Sequence, residues 1–122
     1  MILLDRILSL ENDDIRCACR YTDPGFFGCE DGVPICWALE IIAQACAAWV
    51  SIHARESGVT QGRLLKCRTF SLCQPHIPYN RNLIAQARRK LCGSSGIWIF
   101  EGSLNDEQGA CYAHGELTLL VQ

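Results

Sequence analysis

Residues 35–52, which read ICWALEIIAQACAAWVSI, constrain this chain more than any other stretch, because nearly every position is apolar or small. A membrane span would need about 20 consecutive apolar residues with few or no charges. This run is short and interrupted by Glu40 and Gln44, so it reads as a buried core helix. A helix that is apolar all round must be wrapped by something, and the rest of the chain is therefore expected to supply a sheet around it. Pro34 suits the first turn of that helix, and Asp23-Pro24-Gly25, Gly28 and Gly32 mark the loop leading into it.

The flanking sequence provides the sheet. Residues 2–10 and 15–21 alternate with period two around the polar cluster Glu11-Asn12-Asp13-Asp14, which predicts a hairpin. After Gly58, residues 64–72, 83–90, 96–104 and 110–121 read as strands, separated by turn signals such as Cys92-Gly93-Ser94-Ser95-Gly96 and Asn105-Asp106. The expected order is β-β-α-β-β-β-β, an α+β layering with an antiparallel sheet curled around one helix. At 122 residues, 49% hydrophobic and 20% charged, the chain is long enough for one core. It is expected to form a single domain over residues 1–122, without repeats.

The nine cysteines fall mostly in apolar stretches, with no signal peptide and no C-x-x-C pair to seed a zinc or redox centre. They are expected to be reduced core thiols in a cytoplasmic protein, with no metal and no cofactor. Charge is distributed unevenly. Residues 1–56 carry 4 basic and 9 acidic groups, residues 57–100 carry 7 and none, and residues 101–122 carry none and 4. The basic middle third, Arg63, Lys66, Arg68, Arg81, Arg88, Arg89 and Lys90, either pairs with acidic strands across the sheet or forms a docking face for an acidic partner. The net charge of -2, with no basic run interleaved with aromatics, argues against nucleic acid.

On the central helix Glu40, Gln44 and Ser51 fall at spacings of 4 and 7, a narrow polar stripe on one face. A carboxyl group withdrawn from water holds its proton more readily and can act as a general acid. The alternative is a carboxylate that simply hydrogen-bonds backbone groups at a dimer seam or a loop.

Leu3-Leu4-Asp5-Arg6, Pro34 six residues before Glu40, and Glu40-Ile41-Ile42-Ala43-Gln44-Ala45 resemble the FabZ-type 3-hydroxyacyl acyl-carrier-protein dehydratases. Residues 70–78 and 96–102 extend the likeness over nearly the whole chain. A closer likeness is to the divergent dehydratase subunits of aryl-polyene pigment clusters, whose loop before the helix is similarly altered. The resemblance implies a hotdog fold, in which a six-stranded antiparallel sheet wraps one long helix. It further implies elimination of water from a 3-hydroxyacyl thioester, an acyl carrier protein as partner for Arg63, Lys66, Arg68, Arg88, Arg89 and Lys90, and a homodimer or heterodimer with another hotdog subunit. Glu40 matches the helix acid that protonates the departing hydroxyl, with Gln44 beside it, and backbone amides around Val33, Pro34 and Ile35 would polarise the thioester carbonyl.

In that family a histidine in the loop before the helix takes the α-proton. Ungapped, it falls on Phe26, and residues 26–32 contain no histidine. His53 lies about 20 Å along the helix from Glu40 at ~1.5 Å per residue. His114 is expected on a strand, packed or at the sheet surface. His76, in Gln74-Pro75-His76-Ile77-Pro78, is the histidine placed to reach a substrate, and Cys29 is a second candidate base or nucleophile. The simplest expectation is a base donated by another polypeptide. A hotdog thioesterase, which needs no loop histidine, and a non-catalytic hotdog partner are the competing readings. Family members generally carry a short segment before the Leu-Leu-Asp-Arg strand, so a start assigned late, or a trimmed protein, is expected at Met1.

Overall fold

The computed structural model describes residues 2–57, 62–93 and 95–121. In chain order it contains β1 (Arg6–Leu10), β2 (Asp14–Cys19), a one-turn helix α1 (Pro24–Phe27), the two-residue β3 (Val33–Pro34), the long helix α2 (Trp37–Ser57), β4 (Gly62–Leu72), the two-residue β5 (His76–Ile77), β6 (Leu83–Cys92), β7 (Ile97–Asp106) and β8 (Cys111–Val121). Six strands make one antiparallel sheet in the order β1-β2-β6-β7-β8-β4, and β3 pairs with β5 apart from it. The α+β reading and the six main strands agree with the sequence expectation. The short elements α1, β3 and β5 were not anticipated.

Local chemistry accounts for the turns. Glu11 and Asp14 exchange backbone hydrogen bonds at 2.8 and 3.4 Å and close the β1–β2 hairpin. Between β7 and β8, the Asp106 carboxylate accepts from the amides of Gln108 and Ala110 at 2.9 Å each, and Gly109 supplies the left-handed residue with φ 88°. Burial desolvates this carboxyl group. The two amides, the Tyr112 hydroxyl and the Arg81 guanidinium outweigh that penalty and hold it below the ordinary aspartate range.

Helix α2 lies against one face of the sheet. Ala38, Ile41, Ile42, Ala45, Cys46, Trp49 and Val50 recur at helical spacing and are buried against Ile15 and Cys17 of β2, Leu83, Ala85 and Ala87 of β6, and Phe100 and Leu104 of β7. Each fully buried aliphatic side chain contributes about 1.5–3 kcal/mol. The helix and sheet approach closely at Gly102, where a Cβ would collide with Ile42 Cγ2; its register partner Gly115 makes the same room for Phe70.

Three expectations are corrected. The helix starts at Trp37, because Pro34 is taken into β3 opposite His76. Nor is the helix buried on every side: Glu40, Ala47 and Ser51 are exposed along a face that the sheet does not reach. Finally, only Cys17, Cys19 and Cys46 are buried, while Cys36, Cys73 and Cys92 are exposed and Cys29, Cys67 and Cys111 are half-buried. Burial pushes the thiols of Cys19 and Cys46 up to about 11 and about 12, so these two stay protonated core groups. Among the described residues, no helix is long and apolar enough to cross a membrane.

Candidate active site

Glu40 sits in the first turn of α2 on its open face. The Gln44 side-chain amide, one turn on, donates to Glu40 Oε1 at 3.3 Å, and Gln44 Oε1 accepts from the Leu3 backbone N–H at 2.7 Å. The Leu3 carbonyl in turn accepts from the buried Tyr21 hydroxyl at 3.0 Å. Burial pushes that phenol up, which keeps it a donor. The Leu3-Leu4-Asp5-Arg6 segment is thereby tied to the helix acid through one glutamine. The sequence pairs Glu40 with Gln44, but Leu3 and Tyr21 are residues that sequence reasoning missed, since backbone partners leave no mark in side-chain spacing. Ser51 continues the stripe and, with Ile2, Leu4, Ile7, Gln44, Ala47 and Ala48, lines a trough of about 510 Å³ between the N-terminal segment and the helix.

The loop that would carry a base is built from aromatic rings. Asp23 caps α1 by accepting from Gly25 N–H at 2.9 Å, and Gly28 ends it in the left-handed conformation at φ 68°. Phe26 is 50% exposed, with its ring 6.1 Å from that of Trp37. Phe27 packs edge-on against Tyr21 at 5.6 Å and Trp37 at 5.5 Å. None of these phenyl and indole rings can take a proton from carbon.

The histidines separate. His76 is half-buried in β5, with Nε2 3.5 Å from Cys29 Sγ, and no described hydrogen bond joins either residue to Glu40. The Tyr79 hydroxyl fixes the Cys29 loop by donating to Cys29 O. His53 stacks on Trp49 at 3.7 Å with Nδ1 2.9 Å from the Trp49 carbonyl, so it belongs to the packing of the far helix end. His114 is exposed on the sheet surface.

Val33 is buried and, with Pro34, pairs antiparallel with His76-Ile77. The Ile35 amide already donates to Pro75 O at 3.3 Å, and proline has no N–H. Amides 34 and 35 are therefore unavailable to a thioester oxygen, which corrects that part of the expectation.

The basic residues do not form one patch. Arg63, Lys66 and Arg68 are exposed on edge strand β4, three strand spacings from β6, or roughly 14 Å at ~4.8 Å each. Two of the β6 cations are committed elsewhere. Arg89 pairs with Asp13 at 2.8 Å and lies 4.8 Å over the Trp49 ring, while Lys90 bridges Glu101 at 3.2 Å and Glu116 at 3.7 Å. Arg88 stays exposed.

The family model for ApeP dehydratases matches residues 1–122. The chain belongs to the ApeP dehydratase family. Its fold agrees: the ApeI:P dehydratase heterocomplex from Xenorhabdus doucetiae superposes with a TM-score of 0.85 at 22% identity, covering 99% of this chain and 83% of that one. A thioesterase from Haemophilus influenzae reaches 0.75 at 16% identity, with 95% and 76% covered, and a Streptococcus mutans protein bound to acetyl-CoA reaches 0.75 at 10%, with 96% and 87% covered. All three share the hotdog fold. No curated protein matches the sequence. Membership makes the chain a dehydratase-type hydro-lyase subunit, the reaction class that the Glu40-Ile41-Ile42-Ala43-Gln44 motif anticipates.

Proposed function

We propose that this chain is the acid-donating half of a two-chain 3-hydroxyacyl thioester dehydratase. It acts in the cytoplasm on polyene or fatty-acyl intermediates held by an acyl carrier protein. The observation that carries this reading is the setting of Glu40, a carboxyl group oriented by Gln44 on the open face of α2, beside a loop with no histidine. A second hotdog subunit laid on that face would withdraw Glu40 from water and bring a histidine. The neighbouring heterocomplex, named for two dehydratase chains, supports such an arrangement.

In the reaction the partner's histidine removes the C2 proton, and the electron pair of that C–H bond becomes the C2–C3 π bond. Glu40 gives its proton to the C3 hydroxyl, the C–O bond breaks and water leaves. The products are the conjugated enoyl thioester, a glutamate carboxylate and an imidazolium, and proton exchange with solvent restores both groups. The positive end of the α2 dipole, near Trp37, would stabilise negative charge developing on the thioester oxygen. Arg63, Lys66 and Arg68 on the exposed edge strand, with Arg88, are the cations that remain for an acidic carrier protein.

The test is a dehydration assay on a 3-hydroxyacyl carrier protein with the chain alone, with a histidine-bearing hotdog subunit alone, and with both. Activity is expected only in the mixture, and Glu40→Gln in the mixture should lower kcat by about 10²–10⁴, the range of general acid catalysis. Full turnover by the mixture carrying Glu40→Gln would overturn the proposal. A second reading, thioester hydrolysis, is favoured by the Cys29–His76 contact alone. It predicts release of the carrier thiol and loss of that release in Cys29→Ala.

A further inference from the structure

One extra residue in β8 creates a cluster that a regular strand would not. Along β7 and β8 the register runs Ser103 with His114, Leu104 with Ala113, and then Asn105 with Cys111, so Tyr112 is bulged. Residues three apart in an unbroken strand point to opposite faces. A bulged residue reverses that alternation, and Cys111 and His114 are brought to the same side. The end of β4 runs alongside: Ser71 and Leu72 pair with His114 and Ala113, and the Cys73 N–H donates to Tyr112 O at 2.8 Å. As a result Cys73 Sγ, Cys111 Sγ and a ring nitrogen of His114 all lie within 4.8 Å of one another.

We propose that Cys73, Cys111 and His114 form a binding site for zinc or a similarly thiophilic divalent ion, with the fourth coordination position open to water or to a group from a partner chain. Two thiolates and an imidazole make a donor set that selects zinc over magnesium or calcium, which prefer oxygen. Zinc bonds of ~2.3 Å to sulfur and ~2.0 Å to nitrogen in a tetrahedron place the ligand atoms roughly 3.5–3.8 Å apart. The cluster closes to that size by side-chain rotation, chiefly at exposed Cys73 beyond the end of β4. Binding releases the two thiol protons to solvent. It would also clamp the end of edge strand β4 to β8, just before the segment that carries His76 into β5.

The full chain, reduced and stripped of metal, is titrated with Co²⁺ as a spectroscopic probe. One equivalent should bind with thiolate-to-cobalt charge-transfer absorption and the visible bands of a tetrahedral ion, and Zn²⁺ should displace it. Cys73→Ser, on an exposed residue that leaves the core intact, should weaken binding by more than the ~10–100-fold that loss of an outer-shell partner costs. Cys111→Ser and His114→Ala should act in the same direction. Cys29→Ser, which breaks the separate cluster of Cys29, Asp31 and His76, should leave the spectrum unchanged. Absence of thiolate bands, or bands that survive Cys73→Ser and disappear in Cys29→Ser, would overturn the assignment.

Discussion

Replacing Gln44 with leucine tests whether the N-terminal segment holds the helix acid in place. The substitution keeps most of the volume and removes both hydrogen-bonding groups. The Leu3 N–H, partly buried and 2.7 Å from its acceptor, is left without the Gln44 oxygen, at a cost of about 1–2 kcal/mol. The bond to Glu40, longer and exposed, adds at most ~0.5 kcal/mol. With an unfolding entropy of ~2.1 cal/mol/K per residue, 1 kcal/mol corresponds to about 4 °C in a chain of this length. Gln44→Leu should therefore lower Tm by about 4–10 °C in differential scanning calorimetry. Gln44→Glu keeps an acceptor for Leu3, but loses the donor to Glu40 and sets a like charge one turn from it, a combined penalty of up to about 1 kcal/mol or roughly 4 °C. Both variants lose the donor to Glu40, so in the reconstituted assay both should lower kcat with KM little changed. A Gln44→Leu Tm within about 1 °C of the parent, or equal Tm losses in the two variants, would show that the Leu3 contact does not hold this helix face.

Asp106 sets part of the acid limb of stability. Its folded-state carboxyl is held below its unfolded value, so the contribution is present above the unfolded aspartate value of about 4 and is lost as pH falls through the folded one. Asp106→Asn should be less stable than the parent at neutral pH and show a flatter decline below about pH 4 in acid unfolding followed by circular dichroism; superimposable curves would refute this. Gly102→Ala forces a methyl group against Ile42 Cγ2 and should cost about 1–3 kcal/mol through overpacking, or roughly 4–12 °C in Tm. An unchanged Tm would mean that helix and sheet are not in tight contact there.

The six main strands and the helix are legible because each repeats a physical period: alternation in Ile15, Cys17 and Cys19, and spacings of three and four in Ile41, Ile42, Ala45, Trp49 and Val50. What escaped is local and aperiodic. The β3–β5 pair is two residues on each side, too short to alternate, and Pro34 carries the same helix-start signal whether it opens a helix or precedes one. The bulge at Tyr112 is invisible because an extra residue changes neither composition nor hydropathy. Without it, Cys111 and His114 read as unrelated. Arg89 and Lys90 looked like part of a free basic face, since no pattern in the sequence announces that Asp13 and Glu101 will meet them across strands.

The helix is a mostly apolar core helix, as its sequence indicates, but one face of it is left open, and that bears on function. The sheet covers the face that carries Ile42, Trp49 and Val50. The other face presents Glu40, Ala47 and Ser51 to water beside a trough whose far wall includes Ile2 and Ile7, 86% and 47% exposed. Apolar residues stay exposed to water at such positions at a cost unless something else covers them, and small residues let another surface approach closely. Burial of a carboxyl group under a second subunit disfavours its charged form. On the proposed reading, the feature that makes this helix look too greasy for its own sheet is what allows Glu40 to become an acid only when the partner arrives.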